Sequence, residues 1–237
     1  MHRKLSQTLF VVPLTCLLLA AAAGQTQPAS RPAAPALDLS TPRSALVSLC
    51  ASLKSGDIAA ARNCLSFSSE DQAQSFDISY TQLYAPLALV HAVQARFGPE
   101  GGKPFGVAPL EKSLDDLLAR AQAADIQITG DTAAVVDHSD INPSAETELT
   151  GITFKKQAGA NGAWKVTAST FMTAAGQTPA AQKKFMLALR DATAVAVRAT
   201  SARLANGEFK TPEEAFADYK SRLDEAAKAA APSTRAQ

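Results

Sequence analysis

Three side chains that exchange protons are the first candidates for chemistry. His91 falls on the apolar stripe of a predicted helix, beside Tyr84 and Leu87, and is the most suggestive titratable residue. Asp137 and His138 are neighbours in a predicted strand, so their side chains should point to opposite faces. They cannot form a pair on one face, although either could meet His91 in space. The alternative is a structural role for all three. His91 would then be a hydrogen-bonded histidine in the core or at its edge, and Asp137 and His138 would mark the end of a strand that turns into a loop.

Two cysteines flank a predicted turn between helices. Cys50 lies six residues before Gly56, and Cys64 lies eight residues after it. In an antiparallel helical hairpin such residues face each other, and an oxidising compartment would join them in a disulfide. The alternative is two buried free thiols that act as small apolar side chains. Two thiols without a nearby histidine do not make a four-ligand zinc site, so no metal is expected.

The elements that must position these residues begin with helices. Gly56 and Asp57 end a first helix and cap a second, and a third is predicted over about Tyr80 to Phe97. Pro86 marks either the true start of that helix or a kink. After a loop rich in glycine and proline, a fourth helix carries leucines at helical spacing. Threonine–proline pairs open the first helix and the two helices of a C-terminal hairpin: Thr41-Pro42, Thr178-Pro179 and Thr211-Pro212.

The apolar period then changes from that of a helix to that of strands. Four strands are predicted, near residues 126–128, 132–136, 147–156 and 163–170. Gly159 to Gly162 is a hairpin signal between the last two. In that pair Lys155 and Lys165 are expected to face solvent. The buried face is expected to hold Ile152, Phe154, Trp164 and Val166.

The N-terminal residues indicate export. Arg3 and Lys4 precede an apolar run from Leu9 to Ala23, which is followed by small residues suited to cleavage. This pattern is typical of a secretory signal peptide, predicted over residues 1–24. Residues 25–40 are predicted to form a disordered linker rich in proline and alanine. The mature protein is therefore expected in an extracytoplasmic compartment, periplasmic or secreted, without membrane insertion after cleavage.

The net charge and the absence of certain motifs exclude several classes of function. The formal net charge is +1 and aromatic residues make up 6% of the chain, so no nucleic-acid partner is expected. Residues 98–104 only superficially resemble a phosphate loop, because the glycine spacing and the hydroxyl residue are missing. No cofactor is predicted.

Two stretches resemble nuclear transport factor 2-like domains, especially secreted bacterial members. The first is TPRSALVSLCASLKSGDIAAARNCL, which is similar to their opening helical hairpin. The second is the Gly-Asp-Thr-Ala hairpin from Gly130, together with the Gly-Ala-Trp-Lys-Val strand from Gly162. The resemblance implies an α+β fold, with N-terminal helices packed on a curved antiparallel sheet of about four strands. This domain would span residues 41–172, and residues 173–237 would form a helical hairpin packed on it.

The family contains both enzymes and binding modules, so three hypotheses follow. The leading one is a non-catalytic module whose concave sheet face holds a small apolar ligand or a segment of an envelope protein. The second is a cofactor-free lyase or isomerase that uses His91 as a general base at the mouth of the cone. The third is a structural envelope protein. The candidate pocket residues are Tyr80, Tyr84, His91 and Trp164.

Overall fold

The computed structural model describes residues 36–136, 149, 151–159, 162–170 and 180–230. The predicted signal peptide, residues 25–35 of the linker, and both Asp137 and His138 lie outside these ranges. No helix in the described ranges has the length and apolar character needed to cross a membrane.

Helices make up most of the described chain. The α-helices are α1 (Pro42–Ser55), α2 (Ile58–Asn63), α3 (Glu70–Phe97), α4 (Ala108–Ala123), α5 (Ala180–Ala205) and α6 (Pro212–Ala230). The strands are β1 (Leu65–Ser66), β2 (Ile126–Thr129), β3 (Thr132–Val135), β4 (Thr153–Lys156) and β5 (Trp164–Thr167). Two 3-10 helices cover Pro99–Phe105 and Ala168–Thr170, so the predicted glycine- and proline-rich loop is partly helical.

The expected fold class, with a purely antiparallel sheet of about four strands, is wrong. The sheet has five strands in the order β1-β5-β4-β3-β2, and β1 pairs parallel with β5. The other three pairings are antiparallel, as predicted for that part of the chain. Strand β1 has only two residues, Leu65 and Ser66, which is too short to show an alternating pattern in the sequence.

Local signals explain the sharp turn between α1 and α2. Thr41 caps α1 by accepting a hydrogen bond from the Ser44 backbone N–H, and the Ser44 hydroxyl accepts one from the Thr41 N–H. At the other end Gly56 adopts a left-handed conformation with φ 72°. The Gly56 N–H donates to Leu53 and the Asp57 N–H donates to Ser52, which is the Schellman arrangement. Asp57 then caps α2 through its side chain.

Helix α3 begins ten residues earlier than predicted. Ser69 caps it by accepting a hydrogen bond from the Gln72 backbone N–H, and Glu70 and Asp71 occupy its first turn. Pro86 lies inside the helix and marks neither its start nor its end. Proline removes one intrahelical hydrogen bond, and packing on both sides of α3 holds the helix together across that position.

Two apolar clusters lie on different faces of α3. Phe76 and Leu87 belong to a cluster shared with α1, α4 and the sheet. Leu89 and Val93 belong to a second cluster shared with α5 and α6. Side chains four residues apart lie on the same face of a helix, so Leu89 and Val93 share one face. Phe76 and Leu87 lie on a different face of the same helix. Helix α3 therefore joins the sheet layer to the C-terminal helices.

The C-terminal hairpin of α5 and α6 packs on α3 and is fastened by charged side chains. Arg96 of α3 donates to the backbone oxygens of Leu204 and Phe209, where α5 ends and α6 approaches. Within the hairpin, Asp218 accepts hydrogen bonds from Thr200 at 2.7 Å and from Arg222 at 2.9 Å, and it also pairs with Arg203.

We expect Gly56→Ala to destabilise the protein more than Gly106→Ala does. Both glycines are left-handed, with φ 72° and 64°, and a left-handed alanine costs about 1–2 kcal/mol. A Cβ at Gly56 would lie 2.6 Å from the Ala88 nitrogen and 2.9 Å from the Tyr84 oxygen, whereas one at Gly106 would meet nothing within 4 Å. The additional loss at Gly56, about 1–3 kcal/mol, is measurable by urea unfolding. Equal losses for the two variants would contradict the close contact between the turn and α3.

Asp218→Asn should lower the free energy of unfolding by about 2 kcal/mol at pH 7. Burial raises the pKa of Asp218, but hydrogen bonds from Arg222 and Thr200 and the nearby arginine charges outweigh it, so the pKa lies below 3.8. A lowered folded-state pKa gives stability that is present above the unfolded pKa and is lost as pH falls through the folded value. The difference between the variant and the original protein should therefore shrink below about pH 4. Asp224→Asn, at an exposed position on the same helix, is the control and should change little.

Candidate functional site

His91 does meet a carboxylate, at the surface between α3 and α4. Its Nε2 atom lies 3.4 Å from Oε1 of Glu111, and the side chains are 33% and 23% exposed. The Gln94 amide donates to the same oxygen at 3.4 Å. The sequence placed His91 on its helix but did not identify Glu111 as its neighbour, because that contact joins two different helices.

One depression on the described part of the chain lies elsewhere. It has a volume of about 590 Å³, is open to solvent, and lies between the first 3-10 helix and the start of α6. Its lining consists of Phe97, Glu100, Gly101, Lys103, Pro104, Pro212 and Glu213, and does not include His91. Two of its charges, Lys103 and Glu100, pair with each other. A histidine and a carboxylate therefore converge, but outside this depression.

The predicted pocket aromatics serve as packing. Tyr80 stacks on Phe76 with ring centroids 4.3 Å apart and on Tyr84 at 5.3 Å. Burial raises the pKa of Tyr80 to about 12 and also raises the pKa of Tyr84. Trp164 is buried in the cluster that joins the sheet to α1, with the Lys156 ammonium 6.0 Å from its ring centroid. These three aromatic side chains thus belong to the core and its margin.

Cys50 and Cys64 are both buried and both free. Burial is the largest cause that raises the pKa of Cys50 to about 12 and that of Cys64 to about 11. The predicted disulfide is not formed in this structure, and the two residues fill space as the alternative described. The helical turn at Gly56 was predicted correctly, but the short α2 places Cys64 at its C-terminal cap.

The helix-facing side of the sheet is filled by core side chains. Ile152, Phe154 and Val166 are at most 1% exposed, in the same cluster as Leu46 and Leu49 of α1. This packing confirms the predicted buried face of the last two strands. It also means that the face where a small apolar ligand was expected is occupied by the protein itself.

The outer face of the sheet is polar and accessible. Because side chains alternate, one continuous row crosses four strands in register: Thr129 pairs with Thr132, Thr132 with Lys155, and Lys155 with Lys165. Thr129, Thr132 and Lys155 are exposed, and Lys165 is half-buried. The prediction that both lysines face solvent is confirmed for Lys155, whereas Lys165 lies on the same face and is half-buried.

Lys155 and Lys165 are directly opposite each other in the antiparallel pair β4–β5. Like charges in this position destabilise a sheet. The residues of β2 to β5 on this face include no acid: Gln127, Thr129, Thr132, Ala134, Thr153, Lys155, Lys165 and Thr167. The register of this hairpin was not predicted, so the direct pairing of the lysines was not expected.

Comparison of the chain with protein-family models, with characterised proteins and with solved structures found no match. The resemblance to nuclear transport factor 2-like domains accordingly remains a prediction from its motifs.

The thiols should be unreactive in the folded protein and accessible after unfolding. Because only the thiolate attacks a disulfide reagent, the raised pKa values and the burial predict very slow reaction at pH 8. Unfolding the non-reduced mature protein, which lacks Cys16 of the predicted signal peptide, should release two reactive thiols, measured with Ellman's reagent. Zero reactive thiols together with a monomeric mass would instead establish the disulfide that the sequence predicted.

Proposed function

We propose that the chain is an exported, non-catalytic interaction module that holds a segment of a partner protein against the outer face of its sheet. The observation that carries this proposal is the accessible row Thr129–Thr132–Lys155–Lys165. Residues 1–24 support export through their resemblance to a signal peptide. An envelope protein is therefore the proposed class of partner.

The geometry favours a protein segment over a small apolar ligand. An apolar ligand needs a concave site lined mostly by apolar side chains. The apolar face of the sheet is instead packed against α1, through residues such as Phe154 and Val166. The outer face offers hydroxyl, amide and ammonium groups, which suit polar contacts along an extended segment.

The enzyme hypothesis rests on one specific observation, the approach of His91 to Glu111 within 3.4 Å. A general base must also reach a bound substrate, in a site that excludes water. His91 is one-third exposed between two helices, and it does not line the described depression. Proton transfer by this pair is thus the second candidate, behind the interaction surface.

Site-specific photo-crosslinking in an envelope extract of the source organism tests the proposal. A crosslinking amino acid at Thr132 or Thr153, both exposed on the outer face, should give an adduct of one defined mass. The same amino acid at Lys112 or Lys220, which are exposed on α4 and α6, should not give that adduct. Variants His91→Ala and Glu111→Gln should leave the yield unchanged.

Two results would count against the interaction module. Equal yields from sheet and helix positions would indicate non-specific capture. Loss of the adduct in the His91 or Glu111 variants, with the fold intact by circular dichroism, would move the binding site to the junction of α3 and α4.

A further inference from the structure

We infer that the sheet face recognises an acidic protein segment, through the opposed lysines Lys155 and Lys165. This inference rests on the proposed function and adds the chemical class of the partner. Its basis is charge complementarity: two adjacent ammonium groups lie on a face whose strand residues include no carboxylate.

The register determines how the two charges are placed. Lys155 and Lys165 are direct Cα partners, so their side chains leave the same face of adjacent strands. The lysine of the neighbouring position, Lys156, belongs to the opposite face and lies over the Trp164 ring. On strands β2 to β5 the outer face therefore presents one pair of directly opposed lysines, bordered in the same row by Thr132 and Thr129.

Three other lysines in the described part of the chain pair with an acid. Lys54 pairs with Asp115, Lys103 with Glu100, and Lys183 with Asp71 at 2.9 Å. Lys155 and Lys165 face each other across the strand pair, and none of the residues of β2 to β5 on that face is acidic. The two ammonium groups repel each other in the free protein. A carboxylate from a partner would offset that repulsion, and this would add to the free energy of binding.

The size of the patch favours a short acidic segment over a polyanionic polymer. Polymers such as sulfated polysaccharides and nucleic acids are bound by extended basic surfaces that neutralise many charges. Here the patch holds two lysines among neutral side chains, and the formal charge of the whole chain is only +1. An extended segment with a few glutamates or aspartates matches this pair and can also use the threonine hydroxyls.

The probe is a synthetic peptide of alternating glutamate and serine, titrated against the mature protein at low salt by fluorescence anisotropy. We expect binding that weakens as salt rises, and none to the same peptide with glutamine in place of glutamate. The variant K155Q/K165Q should bind roughly 25-fold more weakly, because each lost charge contact is worth about fivefold. The control K112Q/K220Q has the same net charge and exposed positions on α4 and α6, and should differ by less than about twofold.

A second variant distinguishes loss of peptide binding from loss of the fold. Lys155→Glu replaces the like-charge pair with an opposite pair, so it should abolish peptide binding while leaving the unfolding midpoint unchanged or raised. A lowered midpoint with binding retained would contradict the role of the lysine pair.

The remaining outcomes separate this inference from the proposed function. Equal weakening by K155Q/K165Q and K112Q/K220Q, or binding of heparin without binding of the acidic peptide, would overturn the acidic-segment inference. Absence of peptide binding with the crosslinks at Thr132 and Thr153 intact would overturn it too, and would leave the interaction module standing. Absence of those crosslinks would instead remove the proposed function itself.

Discussion

Burial of two different faces of α3 is the constraint on which the rest of the structure depends. One row of its side chains, including Phe76 and Leu87, completes the core of the sheet layer. Another row, including Leu89 and Val93, completes the core of the C-terminal helices. Neither layer could bury its apolar side chains without this helix. The same double packing keeps α3 continuous across Pro86, and the turn at Gly56 lies against its backbone.

This arrangement also decides which surface is left for function. Because α1 packs on one face of the sheet, Phe154, Val166 and Trp164 are used for stability. The opposite face contributes little to the apolar core and is accordingly free to carry polar side chains. The small sheet of this mostly helical protein thus has an inner face that belongs to the core and an outer face that is polar and largely exposed.

The sequence predicted features that depend on neighbouring residues and missed those that depend on distant ones. The start of α1 at Thr41-Pro42, the turn at Gly56-Asp57 and the alternation of Lys155 with Phe154 are local, and each was predicted correctly. The first turns of α3 were missed because few large apolar residues lie between Glu70 and Tyr80. The parallel pairing of β1 was missed because two residues carry no periodic signal. His91 was placed on its helix, but its neighbour Glu111 is supplied by another helix and leaves no trace in local spacing.

Natural surfaces usually place opposite charges near each other, and this chain follows that rule in its C-terminal hairpin. Asp218 is surrounded by Arg203, Arg222 and the Thr200 hydroxyl, so the charges of Asp218, Arg203 and Arg222 have partners within the fold. The pair Lys155 and Lys165 departs from the rule at a position where a threonine or glutamate would fit the same strand. A departure that weakens the isolated sheet is expected where a surface serves binding, since selection for binding can tolerate a small loss of stability. The opposed lysines are therefore the feature of the outer face that the proposed contact with a partner would explain.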